Sequence, residues 1–449
     1  MRRDLIDKYD LRLPRYTSYP TAPHFGPQVG AETFGDWLSN LDSSLPLSLY
    51  LHIAYCAEMC WFCGCHTKIT KQYAPVADYL DALLAEIDTV AEAIPAGMTT
   101  QHIHFGGGSP TILKAEDLSR LIGHLKSRFP LRDKAEIAVE LDPRTADEAY
   151  VKAMAEAGVT RASVGVQDFK PDVQEAIHRV QPHDLVVNVI DWLRRYGITD
   201  LNMDLVYGLP HQTVDSVRET IDRAVELGPK RVSLFGYAHV PWMRRHQKMI
   251  PEDTLPDMEE RWLQYEAAHQ RFADHGYVAI GLDHFAAPDD EMAVALKEER
   301  LNRNFQGYTT DSAPVLIGLG ASGISSLPQG YAVNEMDINA YKATVREGKL
   351  ATTRGFATDD NDRLRRDIIE RLMCDLSVDL NQVGAPYGVS AADFDKEVAA
   401  LSDLAADGVV SIEDGRISVT HDGRPLVRAA AAVFDTYLVK GEQRHSKAV

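Results

Sequence analysis

Four of the five cysteines fall within ten residues, Cys56-Ala-Glu-Met-Cys60-Trp-Phe-Cys63-Gly-Cys65, with gaps of three, two and one residue. Thiols crowded this way are metal or cluster ligands, reducible disulfides or small buried side chains. A structural zinc site usually takes two cysteine pairs roughly a dozen residues apart, because two knuckles close on the ion from opposite sides. Disulfides between such near neighbours are strained and reducible. One short loop suits an iron–sulfur cube, in which three thiolates take three irons and the fourth iron stays open to a small molecule. A second candidate is His104-Phe105-Gly106-Gly107-Gly108-Ser109-Pro110-Thr111. Its three glycines bare backbone groups to a polar ligand, although a triple glycine alone also reads as a tight turn. Glu140, Gln167 and Asp204 each sit among apolar neighbours. A buried carboxylate needs partners, and either ligand hydroxyl and ammonium groups or an internal Arg or Lys would supply them. Arg179, taken alone, reads as a solvated helix residue. Cys374, beside Leu372 and Met373, reads as a core side chain.

These groups must be held by regular elements. Strand-like runs at Leu47–Ile53, 102–105, 136–141, 161–166, 201–207 and 231–237 alternate with amphipathic stretches at 75–93, 115–128, 146–157, 183–196 and 214–227. That alternation predicts an α/β fold of six βα units, a partial barrel short of the eight-stranded closure. The polar motifs fall at strand ends, where such folds carry their chemistry. Residues 1–45, broken by Pro14, Pro20, Pro23 and Pro27, read as an irregular arm. The catalytic domain with a less regular extension is expected over 46–358, with a strand at 277–283 and a glycine-rich stretch at 318–323. Residues 359–449 predict a small, mainly helical domain. It has helices at 361–376, 391–406 and 424–438 and a hairpin at 409–420 turning at Asp414-Gly415, a winged-helix-like lid.

The 449 residues carry a formal net charge of −19. Whole-surface binding to nucleic acid or anionic membrane is therefore not expected, and an anionic substrate would need a local basic pocket. No run of about 18 apolar residues predicts a membrane span, and no apolar segment follows Arg2-Arg3 to make a secretory leader. Clustered, odd-numbered cysteines suit a reducing cytoplasm.

The cysteine spacing is that associated with radical S-adenosylmethionine (SAM) enzymes, and the chain resembles the oxygen-independent coproporphyrinogen III oxidases, radical SAM enzymes of haem biosynthesis. The resemblance covers Pro14-Arg-Tyr-Thr-Ser-Tyr-Pro-Thr-Ala22, the cysteine loop and the triple glycine. It continues through Gly165-Val-Gln-Asp-Phe169, Asp204-Leu-Val-Tyr-Gly-Leu-Pro210, Tyr237-Ala-His239, Arg303-Asn-Phe-Gln-Gly-Tyr-Thr-Thr310 and Phe434-Asp-Thr-Tyr-Leu438. It implies a [4Fe–4S] cluster on Cys56, Cys60 and Cys63, and two SAM molecules. Tyr50, Gly107, Glu140 and Ile324 match contacts to one. Phe62, Gly108, Ser109, Gln167, Arg179, Asp204 and Ala238 match contacts to the other, with Gln306 nearby. Cys65 and His52 match residues needed for activity, Cys65 without ligating the cluster. The implied reaction turns two propionates of coproporphyrinogen III into vinyl groups, with an unidentified electron donor and acceptor, in a protein expected to be a monomer. Arg15 and Lys68 are candidates, by position only, to meet the substrate's four carboxylates. The sequence departs from the family at Ala54, Ser109 and Val206, where Pro, Thr and Ile are common; no ligand is lost. A haem chaperone of the same superfamily is the alternative. Those relatives generally lack the fourth cysteine and the Phe305–Thr310 segment, both present here. A zinc-bound winged-helix regulator is opposed by the cysteine spacing and the acidity.

Overall fold

In the computed structural model, which describes Leu5, Lys8, Tyr9 and residues 13–438, the chain divides into two units. One comprises Gly26–His275 and Ala313–Ala357; the other gathers Met1–Phe25, Gly276–Ser312 and Thr358–Val449. Residues 1–4, searched above for a leader, and the chain end beyond 438 lie outside the described residues.

The first unit is built on β1 (Leu47–Ile53), β2 (Thr100–Gly107), β3 (Leu131–Leu141), β4 (Arg161–Gln167), β5 (Asp200–Tyr207) and β6 (Arg231–Gly236), parallel neighbours in that order. Between and after them run α1 (Ala74–Ala93), α2 (Ala115–Arg128), α3 (Glu148–Glu156), α4 (Pro171–Ala176), α5 (His183–Arg195), α6 (Val214–Glu226) and α7 (Met258–Asp274). The sheet does not stop at six strands. β7 (Val315–Leu319) pairs parallel to the free edge of β1, and β8 (Ile324–Leu327), β9 (Gly330–Asn334) and β10 (Thr352–Ala357) continue it antiparallel. The glycine-rich stretch is the β7–β8 turn. A Cβ on Gly318 would lie 2.5 Å from the Ile324 nitrogen, so no larger residue fits there.

Side-chain alternation assigns the two faces of this sheet. On β1, Leu47, Leu49, Leu51 and Ile53 are at most 1% exposed, while Ser48, Tyr50 and His52 take the other face. That face continues across the neighbouring strands as a bonded polar surface. Arg161 Nη2 meets Glu136 Oε2 at 2.6 Å, His104 Nε2 meets Glu140 Oε1 at 3.0 Å, and Ser163 Oγ donates to Asp204 Oδ2 at 2.9 Å. The helices cover the apolar face with stripes of helical period: Leu118, Leu121, Ile122 and Leu125 on α2, and Val186, Val189, Ile190 and Leu193 on α5.

In the second unit, α8 (Asp360–Asp375) starts at Asp359, whose carboxylate accepts from the Asp362 amide, and ends at Leu376 with φ 57°. It buries Leu364, Ile368 and Leu372 in one core with Leu5, Tyr9, Leu13, Tyr16 and Tyr19. The hairpin Val410–Glu413/Arg416–Val419 turns at Asp414-Gly415, both at positive φ, and a third strand, Ser377–Asp379, joins it. Three expected elements differ. The helix 391–406 is a 3-10 turn (Ala391–Phe394) and two short helices, Asp395–Ala400 and Ser402–Ala406. The last helix covers only Val427–Ala432 after a 3-10 turn; Asp435 Oδ1 accepts the Tyr437 amide at 2.9 Å, a local bond that competes with helix continuation. The strand at 277–283 is a hairpin, Val278–Ile280 with His284–Ala286, reversed near Gly281 (φ 52°). Cys374 is fully buried with Met292, Leu301 and Tyr308. Among the described residues no helix is long and apolar enough to cross a membrane.

Candidate active site

The cysteine loop leaves the carboxyl end of β1 and is pinned along its length. Tyr55–Cys56 pairs parallel with Lys68–Ile69. Gly108 N donates to Ile53 O at 2.8 Å and Ser109 N to Tyr55 O at 2.9 Å, so the triple glycine is stitched to the start of the loop. His52 Nε2 meets His66 O at 2.8 Å, which ties the end of β1 to the loop's far side. The middle is held from two other strand ends. His178, after α4, meets Met59 O at 2.9 Å and stacks on Trp61. His246 Nε2 meets Cys63 O at 2.7 Å, and Gln247 Nε2 donates to both Phe62 O and Ala238 O at 3.2 Å.

Cys60 is buried, Cys56 and Cys63 are half-buried and Cys65 is exposed; none is in a disulfide. Arg144 Nη2 and Arg179 Nη1 approach the Cys60 sulfur at 3.3 and 3.5 Å. Asp142 accepts from both arginines, at 2.7 and 3.2 Å. Burial opposes its charge, yet the Arg179 and Arg144 guanidiniums hold its carboxyl below the ordinary range. Thr67 Oγ1 donates to the Cys56 sulfur at 3.2 Å; burial nonetheless pushes that thiol up to about 12. Cys63 is drawn down to about 6, chiefly by a hydrogen bond from the Cys65 thiol, against burial and with help from the Cys65 amide 3.3 Å from the sulfur.

The donor set fits an iron–sulfur cluster. Three free thiols share one loop, and guanidinium and hydroxyl donors face two of the sulfurs, as anionic ligands require. Among the described residues no three His, Cys, Asp or Glu side chains converge to hold a single ion. A cube asks for no such point, since each thiolate takes its own iron. The glycine segment lets neighbouring side chains close onto bare backbone beside the loop. A Cβ on Gly106 would fall 2.7 Å from Glu140 Oε1, and one on Gly107 (φ 107°) 2.7 Å from His52 Nδ1.

Most expected contact residues gather on the polar face or its rim. Tyr50 pairs with Gly318 and His104 and stacks on the His104 ring; its hydroxyl lies 3.3 Å from His52 Nδ1. Burial lowers the His52 imidazole below its ordinary value and so keeps it neutral. Ile324 opens β8 after the glycine turn. Ser109 Oγ bonds Thr111 at 2.7 Å. Gln167 ends β4 at φ 68°, and buried Gln181 ties down the Gly165 and Val166 carbonyls beside it. Asp204 accepts from Asn202 and Ser163. Phe62 packs with Val173, Ile177 and Tyr237. Arg179 is no solvated helix residue: it is 7% exposed and bonds Gly165 O, Gln181 and Asp142 as well as Cys60. Lys68 is exposed, and the Arg15 carbonyl accepts from Arg303 Nη2. Gln306 belongs to the second unit, between the hairpin strands Asn302–Asn304 and Gly307–Thr309. Sequence reasoning missed Asp142 and Arg144, His178, His246 and Gln247. Only Asp142-Pro143-Arg144, a polar run directly after a strand, carried a local signal.

Residues 50–224 match the radical SAM superfamily, and residues 358–426 the HemN C-terminal domain. The oxygen-independent coproporphyrinogen III oxidase of Bradyrhizobium diazoefficiens is 50% identical over 450 residues, covering 100% of both chains. That of Escherichia coli K12 is 39% identical over 435 residues, 97% of this chain and 95% of its own. A solved structure of coproporphyrinogen III oxidase (HemN) from Escherichia coli, described as a radical SAM enzyme, superposes with a TM-score of 0.91 at 38% identity, covering 95% of this chain and 100% of that one.

Proposed function

This chain belongs to the oxygen-independent coproporphyrinogen III oxidases of the radical SAM superfamily, and from that premise we propose a role for each group in the site. The enzyme oxidatively decarboxylates two propionate side chains of coproporphyrinogen III to vinyl groups, giving protoporphyrinogen IX in haem biosynthesis. The observation that carries this reading is the four-cysteine loop at the carboxyl end of β1, stitched to a bare Gly106-Gly107-Gly108 backbone.

Cys56, Cys60 and Cys63 hold the [4Fe–4S] cluster. Bound there, the cluster and SAM would supply the one-electron radical chemistry that removes a hydrogen from a substrate propionate. Arg144 and Arg179 offset the negative charge of the Cys60 thiolate, and Thr67 does the same for Cys56. Tyr50, Gly107, Glu140 and Ile324 bind one SAM molecule; His104 orients the Glu140 carboxylate to accept from its ammonium or hydroxyl groups. Phe62, Gly108, Ser109, Gln167, Arg179, Asp204 and Ala238 bind a second, and Gln306 is assigned beside it from the family resemblance alone. His52, neutral and bonded to the His66 carbonyl, and the exposed thiol of Cys65 serve the chemistry on the substrate. The enzyme works as a cytoplasmic monomer served by an electron donor and an acceptor.

The test is an anaerobic assay of the reconstituted protein with coproporphyrinogen III, SAM and dithionite. Two CO2 released per substrate is the expected result. Tight haem binding with no CO2 would point to the chaperone alternative.

A further inference from the structure

The segment after β6 turns one side to the cluster loop and the other to solvent. In a chain of net charge −19, Pro241–Ile250 holds three Arg or Lys residues, Arg244, Arg245 and Lys248, and no carboxylate. Arg245 and Lys248 are exposed and stand three apart on the 3-10 turn Arg245–Met249, so they share a face. No described ion pair or hydrogen bond engages the side chains of Arg244, Arg245 or Lys248. Around them Trp242, Met243 and Met249 are 61, 65 and 57% exposed, among the most exposed large apolar side chains of the chain. The inward side of the same turn is committed to the cysteine loop through His246 on Cys63 O and Gln247 on Phe62 O. The outer surface is thus about one helix width, roughly 10 Å, from the backbone of a cluster ligand.

We infer that this basic and apolar face docks an acidic one-electron carrier protein. The inference rests on the oxidase reading and names the partner that reading requires. Each SAM cleavage consumes one electron: the carrier is oxidised by one electron, the cluster receives it, and the S–C5′ bond of SAM breaks to methionine and the 5′-deoxyadenosyl radical with no proton transferred. Electron transfer falls steeply with distance, so the donor must dock close to the cysteine loop. An acidic carrier is repelled by this protein as a whole, and a local basic face both overcomes that repulsion and orients the encounter. The exposed apolar side chains supply the contact area that charge alone does not. The substrate is also anionic, but its propionates must reach the polar face of the sheet, whereas Trp242, Arg245 and Lys248 face solvent.

The experiment compares the cluster-loaded wild type with the double variant Arg245→Glu/Lys248→Glu. The probe is an acidic flavodoxin. Its affinity is measured calorimetrically in the oxidised form, and the second-order rate of cluster reduction by its hydroquinone is measured by stopped-flow absorbance. The double variant should lose at least about tenfold in both at low ionic strength. The gap should close in about 1 M salt, where the Debye length is about 3 Å. Iron content, dithionite-driven turnover and the KM for coproporphyrinogen III should match wild type. Equal affinity and rate in the two proteins would overturn the proposal. A raised KM under dithionite would assign the face to substrate, and a wild-type dimer dissociated in the variant would assign it to self-association; either also overturns it. Absence of CO2 release by wild type under dithionite refutes the oxidase reading instead, and carrier binding still decides the surface.

Discussion

Gly108 is the position where a single methyl group should separate the cysteine loop from the sheet. Its amide bonds Ile53 O, and the next amide bonds Tyr55 O, one residue before the first cluster ligand. A Cβ built on Gly108 would lie 2.5 Å from Thr67 Oγ1, 2.6 Å from Tyr55 O and 2.8 Å from Ile53 O. Two of those atoms are backbone and cannot rotate away. Ordinary contact begins near 3.4 Å, so Gly108→Ala forces the loop and the glycine segment apart by about 0.8 Å. Overpacking of this kind costs about 1–3 kcal/mol in stability. Displacing reacting groups by about 1 Å can cost on the order of 100-fold in rate. The expected result is a protein that folds, retains most of its iron and releases CO2 about 100-fold more slowly, with weakened SAM binding by calorimetry. Gly123→Ala is the internal control: Gly123 lies inside α2 with nothing within 4 Å of its Cβ position, and alanine there should stabilise by about 0.5–1 kcal/mol with activity unchanged. Wild-type turnover and SAM affinity in Gly108→Ala would refute the steric argument and with it the glycine segment as a ligand cradle.

Replacing any one of Cys56, Cys60 or Cys63 with Ala should abolish cluster binding; full iron content in any of the three would overturn the ligand assignment. Cys65→Ser should keep the cluster, because serine retains the amide that donates to the Cys63 sulfur and offers a hydroxyl donor in place of the thiol, while most CO2 release is lost. Iron analysis and the CO2 assay on that variant separate a catalytic thiol from a space-filling one. Glu86, 2% exposed, accepts from Gly320 N, Asn334 and Tyr341, and burial raises its carboxyl to about 7. Its folded value lies above the unfolded one near 4.5, so its contribution is fully present below about pH 4.5 and is lost as pH rises through 7, a change of about 3 kcal/mol. Infrared difference spectra against Glu86→Gln should show a protonated carboxyl band disappearing with a midpoint near 7; a midpoint below 5 would contradict the burial argument.

What could be read from the sequence follows what is local. β1 is recovered over its full span and α2 likewise, because period-two and period-3.6 burial are written into neighbouring residues. β3 begins five residues earlier than expected, at Leu131 rather than 136, since Arg132, Asp133 and Lys134 extend it without apolar alternation, Lys134 at φ 61°. β7 to β9 escaped as strands of this sheet because they are short and joined by glycine turns that read as loop, and β10 returns to the sheet only after the helix Ile338–Arg346. The cysteine loop and triple glycine are contiguous motifs and stood out at once. The groups that hold them did not: Arg144 lies 84 residues from Cys60, His246 183 from Cys63 and Gln247 185 from Phe62. Only the folded sheet brings them together. Arg179 looked solvated because its burial depends on the reversal at His178, φ 53°, which no periodicity announces.

The second unit takes its core from both ends of the chain, and that sets an order of events during synthesis. Tyr9 donates to Asp407, a partner 398 residues downstream, and Leu5, Leu13, Tyr16 and Tyr19 pack with side chains as late as Phe434. At roughly 5–20 residues per second, translation of 449 residues occupies on the order of 20–90 s. For most of that time the amino-terminal aromatics have no native partner, while the residues of β1 to β6 and their helices have already emerged. The nascent chain therefore carries an apolar leash that chaperones or proteases can seize, and a ribosome that stops before Leu364 leaves that leash without the carboxyl-terminal core it packs against.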